Sequence, residues 1–156
     1  MISIIGLGNA ASAIVDCFTD APQYNVYKLN DSVKRSSKKV YKLKRHETPE
    51  EYENNMPDVR KFFADIDDNV QFFIVGGSYS SNYSLGILQQ IKDKKIDVFY
   101  IKPDTELLTG YPVLIESTVF GVLQEYARSG LLNSITFISN PNVEGCIGDL
   151  PIKTYY

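Results

Sequence analysis

Two short stretches combine residue types that suit the binding of an anionic ligand: Gly6-Leu7-Gly8-Asn9-Ala10-Ala11 and Gly76-Gly77-Ser78-Tyr79-Ser80-Ser81-Asn82-Tyr83-Ser84. In the first, the missing side chains at Gly6 and Gly8 let backbone N–H groups, and the positive end of a following helix, approach a phosphate. The stretch follows the GxGxxG pattern except that Ala11 stands in the last position. The same residues also suit a tight turn that merely lets a strand and a helix pack closely, and both readings stand. The second stretch joins flexible glycines to hydroxyls and an amide able to bond phosphate oxygens. It lacks the Gly-Lys-Ser/Thr ending of a Walker loop, so lysine-assisted phosphoryl transfer is not expected there. Its alternative reading is a polar turn with an Asn or Ser helix N-cap.

Each stretch must be held by a strand before it and a helix after it, and the hydrophobic pattern supplies both. Ser3 to Ile5 predicts a strand, and Ala10, Ala13, Ile14, Cys17 and Phe18 fall on one helical stripe. Asn25 to Leu29 predicts a second strand, and Lys39 to Leu43 an edge strand protected by its lysines. The basic run from Lys34 to Arg45 and the acidic run from Glu47 to Glu53 read as solvated loop and edge strand. After Pro57, Val59, Phe62, Phe63 and Ile66 predict an amphipathic helix with Asp58 at its start. Val70 to Val75 is a continuous apolar run, the pattern of a central parallel strand, and it ends at Gly76. Leu85, Leu88 and Ile91 predict the next helix, from Asn82, with Lys92, Lys94 and Lys95 at its end. Ile96 to Ile101 is another buried strand. Pro112 opens a long helix whose inward positions are Ile115, Val119, Val122, Leu123 and Tyr126, closed by Gly130, and Ser134 to Ile138 is the last strand. The alternation predicts a Rossmann-like three-layer α/β sandwich, a mostly parallel sheet of five to six strands with helices on both faces, whose site lies in the loops after the strands.

With 156 residues, 44% of them hydrophobic, the chain suits one domain with its own core. The 16 Lys+Arg against 19 Asp+Glu, net charge -3, disfavour a nucleic-acid partner. No apolar run approaches the roughly 20 residues of a membrane span and the start lacks a basic leader, so no membrane partner and a cytoplasmic location are expected. Cys17 and Cys146 are far apart without metal-ligand spacing and are expected to be packing residues. His46, the only histidine, has no triad or metal partner nearby in sequence and is expected to be exposed. Asp65, Asp67 and Asp68 read as a solvated loop rather than a metal site, and the 11 tyrosines as packing and interface area. Neither a catalytic residue nor a protein-bound metal is assigned. The excess of lysine over arginine, with abundant Asn, Ile and Tyr, suggests an AT-rich coding genome such as many phages carry.

The order of these features resembles the nucleotide-binding domain of the tubulin/FtsZ superfamily. Gly6-Leu7-Gly8-Asn9-Ala10 is similar to the first loop of FtsZ-type proteins, and Asn54-Asn55-Met56-Pro57-Asp58-Val59 to their Gly-Gly-Asn-Pro-Glu-Val loop. Gly76 to Ser84 takes the place of the GGGTGTG signature loop, and Asn140-Pro141-Asn142 follows the last strand as a Pro-Asn-Asp segment does there. The resemblance spans essentially the whole chain as a single domain. It implies GTP or GDP as ligand, with Mg as an accompanying ion, held by Gly6, Gly8, Asn9, Asn55, Gly76, Gly77, Ser78, Ser80, Ser81, Asn82 and Glu106. It also implies self-association or membership of a larger protein assembly. Most signature-loop glycines are replaced here, with bulky Tyr79 and Tyr83 among the replacements. The loop is therefore expected either to hold nucleotide in an altered way or to be vestigial.

The family completes its hydrolytic site with an acidic loop after a long central helix, and this chain stops before both. Self-activating GTPase activity is accordingly not expected, and the chain is expected to be the front part of a longer protein or a reduced homologue. Two alternatives stand beside the leading reading. One is a non-enzymatic structural module that keeps the fold without nucleotide, for instance in a viral particle. The other is a small NAD(P)-binding domain, for which Asp31 after the second strand offers a ribose ligand.

Overall fold

The computed structural model describes residues 1–102 and 110–139. They form a Rossmann-like three-layer α/β sandwich around one six-stranded parallel sheet of order β3-β2-β1-β4-β5-β6. The strands are β1 (Ile2–Leu7), β2 (Tyr24–Asn30), β3 (Val40–Lys42), β4 (Asn69–Val75), β5 (Lys95–Lys102) and β6 (Ser134–Ser139). The helices are α1 (Asn9–Val15), α2 (Pro49–Asn54), α3 (Ser84–Gln90) and α4 (Tyr111–Arg128), with 3-10 turns over Asp16–Phe18 and Tyr79–Tyr83. Among the described residues, no helix is long and apolar enough to cross a membrane.

Each inner strand is apolar on both sides, as a sheet covered on both faces requires. Ile5, Leu7, Val70, Phe72, Ile74, Ile96, Val98 and Tyr100 point to one face, and join Ile87 and Leu88 of α3 and Ile115, Val119 and Leu123 of α4. The alternate residues Ile4, Val26, Phe73, Val75 and Ile101 point to the other face, where Ala11 and Val15 of α1 cover them. α1 and α3 therefore leave the sheet on opposite faces, although their strands β1 and β4 are neighbours paired from Ser3↔Val70 to Leu7↔Ile74. That divergence opens a crevice at the carboxyl end of the sheet, the place where ligands collect in such folds.

α4 closes as expected. Gly130 takes φ 84, its N–H donates to the Ala127 carbonyl at 3.3 Å, and the Leu131 N–H reaches the Tyr126 carbonyl at 3.1 Å, a Schellman pair. Val122 and Tyr126 are only half-buried, so the stripe of α4 is narrower than predicted.

Two elements differ from expectation. Residues 57–67 hold no helix, only turns over 60–65, yet Val59, Phe63 and Ile66 are still buried in the main core. The apolar spacing is met, but Asp58 is drawn into a local loop: its Oδ1 accepts the Arg60 backbone N–H at 3.1 Å and Nε at 3.0 Å. The arginine holds its carboxyl below the usual range. The helix lies instead in the acidic run read as a loop. Thr48 caps α2 by accepting the Glu51 N–H at 3.2 Å, while the Glu51 side chain accepts the Glu47 N–H at 3.1 Å. With Pro49 in the first turn, this cap is legible in Thr48-Pro49-Glu50-Glu51.

Candidate functional site

β1 delivers the chain into Gly6-Leu7-Gly8, and both glycines have structural reasons to lack a side chain. A Cβ at Gly6 would stand 2.8 Å from the Ala11 carbonyl oxygen and 2.8 Å from Val15 Cγ2, so α1 lies on the strand only because none is there. Gly8 takes φ 94, in the region that favours glycine, and a Cβ on it would stand 3.2 Å from Ser80 Cβ. The corner after β1 thus rests directly on the corner after β4.

The β4 corner is built from its own backbone carbonyls. Gly76 continues the sheet with its N–H on the Ile101 carbonyl, 2.9 Å, and Gly77 turns the chain with φ 80. Ser78 Oγ then donates to the Val75 carbonyl at 2.9 Å, Ser81 Oγ to the Ser78 carbonyl at 2.5 Å, and Asn82 Nδ2 to the Tyr79 carbonyl at 2.9 Å. Ser84 Oγ donates to the Ser81 carbonyl. Most of the hydroxyl and amide donors in this stretch are therefore turned inward to hold the 3-10 turn.

Asn9, Ala10, Asp31, Arg45, Val75, Gly77, Ser78, Tyr79 and Ser80 enclose a cleft of about 310 Å³ between the two corners. The Arg45 guanidinium lies 4.1 Å from the centre of the Tyr79 ring, a cation on an aromatic face that forms one wall. Tyr83 points away from the cleft: it is 1% exposed, packs on Tyr52 with ring centres 4.8 Å apart, and its hydroxyl donates to the Lys44 carbonyl at 2.5 Å. Burial above all pushes that hydroxyl up to about 12.

Of the predicted residues, the structure brings Asn9, Gly77, Ser78 and Ser80 to the cleft and places Gly6, Gly8 and Gly76 in the backbone that shapes it. Ser81 is fully buried in the turn, and Asn82 lines a separate groove among α2, α3 and α4. Asn55 is exposed at the end of α2, where its amide donates to the Glu51 carbonyl at 2.8 Å. Glu106, Asn140, Pro141, Asn142 and Cys146 lie outside the described residues. Arg45 carries no spacing signal in the sequence; it arrives because the β3 strand leads the following chain past the cleft.

Three further expectations are corrected. His46 is 8% exposed, not solvated: it leans edge-on against Tyr52 at 5.1 Å, and its Nε2 is buried without a hydrogen-bond partner among the described residues. Its place beside Tyr52 and Tyr83 cannot be read from the charged residues flanking it. Cys17 is exposed in the 3-10 turn after α1, where the helical stripe has already drifted off the sheet. Asp67 is tied to Ser3 and Asn25, whereas Asp65 and Asp68 remain exposed.

Compared with family models and with curated protein sequences, the chain matches none.

Proposed function

We propose that the chain binds a guanine nucleotide in the cleft between the β1 and β4 corners and acts as an assembly component rather than a self-sufficient enzyme. The observation that carries the reading is the meeting of the two glycine corners: they lie so close at the fork of β1 and β4 that a Cβ on Gly8 would stand 3.2 Å from Ser80 Cβ, and the cleft between them holds a cation, Arg45, and a carboxylate, Asp31. A cation suits phosphate and a carboxylate suits the ribose hydroxyls or the base N–H groups. The choice of guanine, the accompanying Mg and the assembly role follow from the resemblance of the loops in their order, while a location in cytoplasm or virion follows from the lack of a long apolar run or basic leader and from the lysine-, Asn-, Ile- and Tyr-rich composition.

A second reading has its own support. Asp31 directly follows β2 and lines the same cleft, in a sheet whose order is that of dinucleotide-binding folds, which favours NAD(P).

Equilibrium titration of GTP, ATP and NAD into the chain separates the readings. GTP is expected to bind best, and Gly8→Ala, which puts a methyl group at the Ser80 contact, is expected to weaken it at least about tenfold. NAD preference installs the second reading. Failure of all three ligands to bind leaves a scaffold without nucleotide and overturns the proposal. Light scattering with and without GTP tests assembly.

A further inference from the structure

We infer that Asn30 is a positioning residue that turns the Asn9 amide so that its NH2 group, not its carbonyl, faces the cleft and meets a phosphate oxygen of the bound ligand; this rests on the nucleotide reading. The deduction begins at Ser32, whose backbone N–H can only donate and does so to Asn30 Oδ1 at 3.1 Å, with Ser32 Oγ donating to the same atom at 2.8 Å. The oxygen of Asn30 is thereby fixed toward Ser32. Its Nδ2 must face the other way, where it donates to Asn9 Oδ1 at 3.2 Å. That bond in turn fixes Asn9: its carbonyl is occupied, and its Nδ2 has no partner among the described residues.

The two asparagines are unlike in setting. Asn30 is 7% exposed at the end of β2, and its own carbonyl accepts the Leu43 N–H at 2.8 Å, so it is held from the β3 side as well. Asn9 is exposed and lines the cleft. A buried amide with every bond direction determined therefore sets the polarity of an exposed one. The consequence is chemical: with Asp31 already offering acceptor oxygens, an Asn9 carbonyl in the cleft would repel phosphate, whereas an NH2 group gives Arg45 a second donor to act with.

The test is a double-mutant cycle with two probes, GTP and inorganic tripolyphosphate, in the full chain. Asn30→Asp keeps both bonds from Ser32 but has no N–H for Asn9, whose amide is then drawn round to donate to the new carboxylate. Asn30→Asp is expected to weaken both probes about tenfold in the native background and by less than about twofold in an Asn9→Ala background. Equal losses in the two backgrounds overturn the relay, because simple repulsion by the added carboxylate would not depend on Asn9. A loss for GTP without a loss for tripolyphosphate overturns the phosphate contact. A ligand-free readout stands beside the cycle: in nitrogen-15 NMR the Asn30 side-chain amide is expected to exchange slowly, and to become fast in Asn9→Ala. If the native chain binds neither probe while that protection is seen, the nucleotide reading fails and the phosphate contact with it. If GTP binds but the Asn30 amide exchanges as freely as that of Asn9, the nucleotide reading stands and the relay is overturned.

Discussion

At the amino end of the sheet, Ser3 of β1, Asn25 of β2 and Asp67 just before β4 form a network in which Ser3 and Asn25 donate to one carboxylate oxygen at 2.8 and 2.9 Å. The Asp67 N–H returns to Ser3 Oγ at 2.9 Å, and Lys39 Nζ satisfies Asn25 Oδ1 at 3.1 Å. At the carboxyl end, the same strands carry Asn30, Asn9 and Asp31, but here the bonds run outward and stop: the Asn9 NH2 group and the Asp31 carboxylate have no hydrogen-bond or ion-pair partner among the described residues. Similar residue types thus make a closed circuit at one end and an open one at the other. A circuit with matched donors and acceptors holds strands in place; one that ends in unmatched groups at a cleft has capacity left for a ligand.

The most damaging way to break this contrast is Gly6→Ala. The added Cβ would meet the Ala11 carbonyl and Val15 Cγ2, each at 2.8 Å, and the first of these is backbone that yields only if α1 moves. The expected loss is about 2–3 kcal/mol of stability, read as a lower urea midpoint with unchanged slope. Because α1 carries Asn9, the shift should also weaken ligand binding at the open end. Full binding in a strongly destabilised variant would show that the position of α1 does not matter to the cleft.

Asp67→Ala tests the closed end and is expected to cost about 2 kcal/mol, since it leaves the fully buried Ser3 hydroxyl without its acceptor, while affinity for GTP is unchanged. The pH dependence has a definite sign. The bond from Asn25 first, and that from Ser3, hold the Asp67 carboxyl below its ordinary value against the opposing effect of desolvation. A depressed folded value means the ionised form stabilises the fold above the ordinary aspartate value of about 3.9, and that stability is lost as pH falls through the folded value. Acid titration of stability should therefore be shallower in Asp67→Ala than in the native chain.

Much of the fold is legible because it rests on local periodicity: Val70 to Val75, the glycine stop of α4 and the lysine-bearing edge strand all carry their signals in contiguous residues. The Pro57 segment is not, because apolar spacing records which residues are buried and not whether the backbone between them keeps a helical ladder. In the cleft, Gly8 and Ser80 are legible singly, but their contact depends on β1 and β4 being neighbours. Arg45 and His46 show the limit most sharply: adjacent in sequence and similar in surroundings, one is exposed on the Tyr79 ring and the other is buried against Tyr52. Only the path of the chain after β3 separates them. The inward turn of Ser78, Ser81 and Ser84 was equally hidden, since a hydroxyl suits a phosphate and a carbonyl alike.

The smallest expected effect sharpens the comparison within the open end itself. Tyr83 belongs to the glycine corner yet behaves like the closed network, its hydroxyl matched to the Lys44 carbonyl and buried beside Tyr52. Burial first, with Tyr52, Asp31 and Tyr41 adding to it, raises the hydroxyl to about 12, so the neutral form is the one the fold stabilises. A raised folded value means this contribution is complete below the ordinary tyrosine value of about 10 and is lost as pH rises from there toward 12. Tyr83→Phe is expected to start about 1 kcal/mol less stable at neutral pH, from the lost hydrogen bond, and then to lose less than the native chain between pH 10 and 12. Tyr27 and Tyr100 are also raised, both by burial before any charge, and they keep a downward slope in both proteins. Two stability curves that converge in that window place Tyr83 among the matched groups; curves that stay parallel would mean its hydroxyl reaches water, and the glycine corner would then be open on both of its sides.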